Sequence, residues 1–153
     1  MLFPYHFDSR LTPSAVKIQR ENLKELEREH FADYSVFELI ANRTQFCDDL
    51  LKQLWQQFEL DKAYLTLIAV GGYGRQEMFP LSDLDVLILS KEKRESETEE
   101  KIAQFVQFLW DCGFDVGHSV RSLEECEKEG KQDITIATNL LESRYLSGDV
   151  SLF

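Results

Sequence analysis

The stretch LIAVGGYGRQEMFPLSDLDVLIL, residues 67–89, joins two apolar segments through a glycine-rich loop. Each apolar segment is short and rich in Leu, Ile and Val, which is typical of buried strands. Two aspartates, Asp83 and Asp85, stand where the second segment begins. Because a buried strand rarely tolerates unpaired charge, this acidic pair needs a physical explanation.

The spacing of the two aspartates supplies that explanation. Residues i and i+2 of a strand project to the same face, so Asp83 and Asp85 point together while Leu84 and Val86 face the core. Two neighbouring carboxylates repel each other unless a cation lies between them. Mg²⁺ suits such a site because it takes few carboxylates and keeps places for water and phosphate oxygens. The sequence therefore predicts a magnesium site at Asp83 and Asp85.

The loop before the aspartates is suited to phosphate. Gly71 and Gly72 allow a positive φ and a close approach of a ligand to the backbone N–H groups. Arg75 could add a positive charge beside a triphosphate, and Ser82 could donate to a phosphate or cap the turn. We expect Glu77 to fix the loop through a local ion pair. The combination favours a metal–nucleotide site over a purely structural turn.

The N-terminal part of the chain is predicted to be helical. Ser14 is the expected N-cap of a first helix, with an apolar face that includes Ile18. A second helix is expected from about Ser35 to Phe58, and its apolar row, which includes Phe37, is expected to be core.

After the glycine loop the pattern continues with helices and one more strand. A helix over 100–113 ends at Gly113 as its cap, and FDVGHSV, residues 114–120, is a predicted strand. A short helix is expected from Ser122, which forms a capping box with Glu125. The last segment, DITIATNLLESRYLSGD (133–149), is predicted to be a helix, although its β-branched start also allows a strand.

This element order predicts an α+β fold in which helices flank a small sheet. Residues 1–62 are expected to form a helical segment that packs on a core formed by residues 63–153. The chain is expected to be one part of a longer, multidomain protein.

The composition of the chain argues against some classes of partner. The chain has 153 residues, 43 % of them hydrophobic, and 17 basic against 28 acidic side chains give a net charge of −11. Such a balance argues against nucleic acid as the main partner. The sequence shows neither a secretory signal nor a long apolar run, so we expect no membrane partner and a cytoplasmic location. The three cysteines contain no CxxC pair and are expected to be reduced thiols.

Three motifs resemble a known family. The strand, glycine turn and DxD pattern is similar to nucleotidyltransferases of the DNA polymerase β type. The string GGYGRQEMFPLSDLDVLIL resembles, more specifically, the N-terminal catalytic domain of the bacterial protein-PII uridylyltransferase family. The segments LWDCGFDVGHSVRSLEEC and DITIATNLLESRYLSGD resemble that family's following segments, so the resemblance covers about residues 65–150 closely.

The resemblance implies a nucleotidyltransferase fold with a small mixed sheet, and a reaction. UTP would bind with Mg²⁺, and UMP would pass to a tyrosine hydroxyl of the PII signalling protein in the control of nitrogen assimilation. Gly71 and Gly72 would contact the phosphates, and Asp83 and Asp85 would be the catalytic metal ligands. Gln76 departs from the family's pattern, in which a glycine is expected, and this puts the local loop geometry in doubt.

Two questions stay open at this stage. The superfamily often has a third carboxylate, for which Asp115 is the first candidate and Asp133 the second. The function also has alternatives: a different nucleotide or acceptor, as in adenylyltransferases or CBS-linked nucleotidyltransferases, or a catalytically silent regulatory module that only binds nucleotide.

Overall fold

A computed structural model of the chain describes residues 5, 7, 10–62, 64–78, 83–91, 94–125, 128 and 143–148. These ranges contain a four-stranded sheet with helices packed against it, which confirms the predicted α+β class. The elements, in chain order, are α1 (Pro13–Glu29), α2 (Val36–Gln57), a 3₁₀ turn (Leu60–Lys62), β1 (Leu65–Ala69), α3 (Gly71–Gly74), β2 (Leu84–Ser90), α4 (Ser96–Asp111), β3 (Val116–Ser122) and β4 (Arg144–Gly148).

The sheet is mixed and has the strand order β3-β2-β1-β4. Strand β1 pairs antiparallel with both β2 and β4, whereas β2 and β3 are parallel. A parallel pair needs a crossover connection, and α4 lies in the chain between these two strands. The two central strands, β1 and β2, therefore carry the glycine loop and the aspartates at the same end of the sheet.

The main core lies between the helices and one face of the sheet. Trp55 of α2 and Phe105 of α4 are fully buried and meet edge to face, with ring centroids 5.7 Å apart. Leu84, Val86 and Ile88 contribute to this cluster from β2. A second, smaller cluster lies on the other face and consists of Ile68, Leu87 and Leu89.

The N-terminal helices are part of this packing. Val16 of α1 is fully buried in the main cluster, and Arg20 donates to the carbonyl of Cys112 at 2.8 Å. The guanidinium of Arg20 also lies 3.9 Å from the centroid of the Phe114 ring. Helix α2 begins after a capping box between Ser35 and Glu38, close to the bounds predicted for it.

Several local predictions are wrong. Helix α1 is capped by Thr12, whose side chain accepts from the backbone N–H of Ala15, and not by Ser14. Proline at position 13 explains the earlier start, because its fixed φ suits the first helical position. Ile18 and Phe37 are 62 % and 84 % exposed, so neither belongs to the core that periodicity assigned to it.

The end of the chain also differs from the prediction. Residues 144–148 were expected in a helix, yet they form β4 along the free edge of β1. Leu146 is buried there. Pairing with β1 provides the backbone hydrogen bonds of this strand, and the local sequence does not predict that pairing. The expected N-cap Asp133 lies beyond the ranges given above.

The predicted cap at Gly113 is confirmed. Gly113 follows α4 with φ +88°, the left-handed conformation typical of a residue that ends a helix. Ser122 accepts from the backbone N–H of Glu125, as a helix-capping residue does. Cys47 and Cys112 are free buried thiols, and burial raises the pKa of each to about 12. Within the described ranges, no helix combines the length and apolar character needed to cross a membrane.

Candidate nucleotide and metal site

The glycine turn begins where β1 ends. Gly71 has φ +58°, which a residue with a side chain adopts only with strain, and the chain then makes the single helical turn α3. Backbone hydrogen bonds close the turn, from Arg75 to the Gly71 carbonyl at 3.1 Å and from Glu77 to the Gly72 carbonyl at 2.9 Å. The Val70 N–H donates to the Asp85 carbonyl at 3.1 Å, so this turn is tied directly to β2.

Asp85 lies against this turn. A Cβ atom placed on Gly71 would be 2.9 Å from Oδ2 of Asp85, and one placed on Gly117 of β3 would be 2.3 Å from Oδ1. The half-buried carboxylate of Asp85 therefore occupies the space left by two glycines on opposite sides of β2. The structure thus brings one of the two predicted acids to the predicted glycine turn.

Asp83 is the exposed residue that precedes β2. Its carboxylate lies close enough to Asp85 to affect it: burial, and then the negative charge of Asp83, raises the pKa of the Asp85 carboxyl. Both causes penalise a charged Asp85, and a bound cation would offset both. The donors are carboxylate oxygens, which a hard divalent cation prefers, so the two residues fit such a cation.

The third predicted carboxylate is not brought into a cluster. The carbonyl of Asp115 accepts from the N–H of Leu84 at 2.8 Å, which places Asp115 at the start of β3 beside the acidic pair. The β3 residue opposite Asp85, however, is Gly117. In the part of the chain that the structure describes, no three His, Cys, Asp or Glu side chains form a metal-holding group. Asp115 as a ligand stays a prediction.

The loop after the turn is fixed by charge. Arg75 donates to Glu77 at 3.1 Å in an exposed pair, which confirms the local ion pair expected for Glu77. Gln76 lies between them with φ +61°. A glycine was expected at this position, and the left-handed backbone gives the physical reason. Ser82, the other loop residue predicted to contact phosphate, falls outside the described ranges.

A network that the sequence did not reveal holds the turn from the core side. Asp48 of α2 accepts from the Tyr73 hydroxyl at 2.7 Å and from Arg144 of β4 at 2.8 and 3.1 Å. Arg144 also donates to the Tyr73 carbonyl at 3.2 Å. Tyr73 is fully buried, and this burial, reinforced by the charges of Cys47 and Asp48, raises the pKa of its phenol, so the phenol stays a donor. In the sequence, this network is indicated only by Asp48, an acid among the apolar residues of α2.

A second ion pair joins the two N-terminal helices to each other and lies against Met78 in the loop. Arg43 of α2 forms a fork with the buried carboxylate of Glu27 on α1, with nitrogen–oxygen distances of 2.5 to 2.9 Å. The same guanidinium donates to the carbonyl of Met78 at 3.4 Å. Helix α2 therefore contacts the loop that separates the glycine turn from the aspartates, and Glu27 of α1 pairs with the arginine that makes this contact.

His118, in contrast, is directed away from the aspartates. It pairs with Val86, a core-facing residue of β2, and its ring lies 5.9 Å from that of Trp110 on α4. Neighbours in a strand alternate between faces, so His118 and Gly117 belong to opposite faces of β3. This supports a structural role for the histidine.

The fold and this site define a class. A mixed sheet in which a glycine turn after one strand meets an acidic pair on the next is consistent with the nucleotidyltransferase fold. The chain belongs to the family described as "Putative nucleotidyltransferase DUF294", whose model matches residues 21–120. The match includes α2, the glycine turn, both aspartates and most of β3.

Curated relatives agree with this assignment. The chain is 65 % identical over 154 residues to a protein of Pasteurella multocida named bifunctional uridylyltransferase/uridylyl-removing enzyme, an alignment that covers 100 % of this chain and 18 % of that protein. Proteins of the same name from Haemophilus influenzae (strain PittEE) and Idiomarina loihiensis are 66 % and 50 % identical, over 97 % and 80 % of this chain and 17 % and 14 % of their own lengths. The chain thus spans less than a fifth of these relatives.

Proposed function

We propose that this chain carries the transferase centre of a protein uridylyltransferase. In this proposal UTP is the donor, Mg²⁺ the metal, and a tyrosine hydroxyl of the PII signalling protein the acceptor, with pyrophosphate released. The names of the relatives support uridylyl transfer, and the family supports nucleotidyl transfer. The cytoplasm is the compartment in which a nitrogen regulator of this kind would act.

One observation carries the proposal: the carboxylate of Asp85 lies against Gly71, at the end of β1. A triphosphate contacted by the backbone of Gly71 and Gly72 would have its charged oxygens beside Asp83 and Asp85. Arg75 lies at the end of the same turn and could pair with a phosphate in place of Glu77.

The proposal gives the acidic pair and the glycine turn separate roles. Asp83 and Asp85 would hold the metal, and the glycine turn would orient the phosphates in line with the acceptor oxygen. Bound Mg²⁺ would supply charge stabilisation to the attacking and leaving oxygens. Residues 63–153 would form this transferase core, and the helical segment 1–62 would support its loop through the contact of Arg43 with Met78. Neither nucleic acid nor a membrane is required as a partner.

A transfer assay tests the proposal. The protein is incubated with Mg²⁺, PII protein and UTP labelled at the α-phosphate, and label on PII is measured. We expect transfer from UTP, little from ATP, and loss of transfer in Asp83→Asn/Asp85→Asn. Asp61→Asn, which changes an exposed acid outside the site, serves as the matched control. Equal transfer by the double variant would contradict the proposed site.

A catalytically silent module that only binds nucleotide is the second candidate. Binding of Mg-UTP without label transfer to PII or to any other acceptor offered would support this reading. Transfer from ATP, or to a different protein, would instead support the alternative of another nucleotide or acceptor.

A further inference from the structure

Gly117 is the second residue of β3, and a strand is an unfavourable place for glycine. Glycine weakens a strand because it loses more backbone entropy and offers no side chain to pack. Among the described glycines a positive φ occurs at Gly71, Gly113 and Gly148, and Gly117 is not one of them. Its backbone could therefore hold any residue, so the reason for a glycine must be space.

The space is taken by Asp85. Gly117 and Asp85 are partners in the parallel register of β2 and β3. A Cβ on Gly117 would lie 2.3 Å from Oδ1 of Asp85, closer than non-bonded atoms approach, and 3.5 Å from Cγ, an ordinary contact distance. On the other side, a Cβ placed on Gly71 would lie 2.9 Å from Oδ2 of Asp85. The carboxylate is thus clasped between two glycines, one on the turn and one on the neighbouring strand.

We propose that Gly117 is a positioning residue for Asp85. Its missing side chain opens the space on β3 into which the carboxylate turns, and this fixes the direction in which the second oxygen faces the glycine turn. The inference deepens the proposed function and rests on it. It also explains why the β3 position directly opposite Asp85 carries no acid: a side chain at position 117 would displace the carboxylate.

Comparison with Gly148 separates this role from a purely structural one. A Cβ on Gly148 would lie 2.1 Å from the carbonyl oxygen of Leu65, and Gly148 also has φ +94°. Backbone in a paired strand cannot yield, so that glycine serves the fold. At Gly117 the obstacle is the end of a side chain, which can rotate away. Gly117→Ala should therefore fold while Asp85 loses its orientation.

The first measurement is metal affinity. Mn²⁺ binding to the protein in the presence of UTP is followed by electron paramagnetic resonance for wild type, Gly117→Ala and Ser119→Thr. Ser119 is the next residue on the same face of β3, opposite Leu87, so its variant adds one methyl group away from the carboxylate. We expect Gly117→Ala to bind Mn²⁺ about 10- to 100-fold more weakly, as for residues that orient a metal ligand. Ser119→Thr should stay within about 2-fold of wild type.

The second measurement is a double-mutant cycle on thermal unfolding, which is independent of metal and activity. Gly117→Ala should lower the melting temperature when Asp85 is present, and should leave it unchanged or raise it in an Asp85→Ala background, because the crowded group is then gone. The proposal would be overturned if Gly117→Ala lowered the melting temperature equally in both backgrounds. It would also be overturned if the Mn²⁺ affinity were unchanged, or if Gly117→Ala failed to fold while Ser119→Thr folded. If the wild type binds no Mn²⁺, the proposed function fails, and the cycle alone decides whether Gly117 positions Asp85.

Discussion

The two faces of β2 differ in what they bury. On one face Leu84, Val86 and Ile88 belong to the large core cluster, with exposures of 0 to 1 %. On the other face Asp85 lies at the start of the strand, followed by Leu87 and Leu89 in a cluster of three buried residues. One strand of seven residues therefore carries both the centre of the core and the acid of the site.

This difference shows how a strand can place charge in a protein interior at a tolerable cost. Alternation confines the charge to one face, and the end of the strand leaves it open to solvent and ligand. The core face then stabilises the strand, and the site face can keep a carboxylate whose burial is unfavourable. Separate substitutions on the two faces should accordingly separate stability from function.

The largest effect is expected on the site face. Asp85→Asn should lower transfer on the order of 10³-fold, because charge stabilisation by a metal contributes several kcal/mol to the transition state. Its melting temperature should be equal to that of wild type or higher, since burial and Asp83 already disfavour the charged form. Activity assays and thermal unfolding on the same preparations measure both. A large loss of stability would show that Asp85 belongs to the core.

On the core face the effect should be reversed. Ile88 is fully buried, so Ile88→Ala should destabilise the protein by about 2–5 kcal/mol through lost burial and a residual cavity. Transfer per folded molecule should remain near that of wild type at low temperature. Leu87→Ala is the control on the opposite face, where the smaller cluster should make the loss lower. Urea unfolding compares the two, and an equal or larger loss at Leu87 would break the proposed contrast.

The network below the turn joins the turn to α2 and β4. Asp48→Asn removes the charge that Tyr73 and Arg144 share, which should cost about 1.5–3 kcal/mol of stability, as for hydrogen bonds to charged groups. The turn should also loosen, so KM for UTP should rise more than kcat falls. Asp49→Asn is the matched control, because the adjacent carboxylate binds Tyr5 and Gln45 instead. If both variants raise KM equally, the network does not act on the turn.

The smallest effect concerns the loop backbone. Gln76 has a left-handed φ, which costs a residue with a side chain roughly 1–2 kcal/mol. Glycine avoids this strain, but it loses more backbone entropy on folding, which cancels part of the gain. Gln76→Gly should therefore stabilise the protein by about 0.5–1 kcal/mol. Gln104→Gly in the middle of α4 should instead destabilise it by about 1 kcal/mol. Destabilisation by both variants would show that the left-handed backbone at Gln76 is not strained.

Local patterns predicted much of this fold. The bounds of α2 follow from its apolar periodicity and from the cap at Ser35, and the strand character of β2 follows from its short apolar run. The sequence also placed Asp85 on the face opposite Leu84 and Val86, because alternation in a strand is a local property. Strand β4 was missed because its backbone is satisfied by β1, a pairing that nothing near residues 144–148 encodes.

The parts of the site that were missed depend on long-range contacts. Asp48 and Arg144 are 96 residues apart, and no spacing rule joins an acid in a helix to an arginine on an edge strand. Gly117 seemed only part of a strand until the register placed it opposite Asp85. The charged groups of the site can therefore be predicted from the sequence, whereas the groups that orient them can be identified only from the three-dimensional contacts.

Direct binding of nucleotide with metal tests the central claim that Asp83 and Asp85 form the metal site. Isothermal titration with UTP and Mg²⁺ would compare wild type with Asp83→Asn/Asp85→Asn, using Asp61→Asn as the control. We expect the double variant to bind Mg-UTP on the order of 100-fold more weakly or not at all, and the control to match wild type. Equal affinity of the double variant and wild type would contradict the assignment of these two carboxylates.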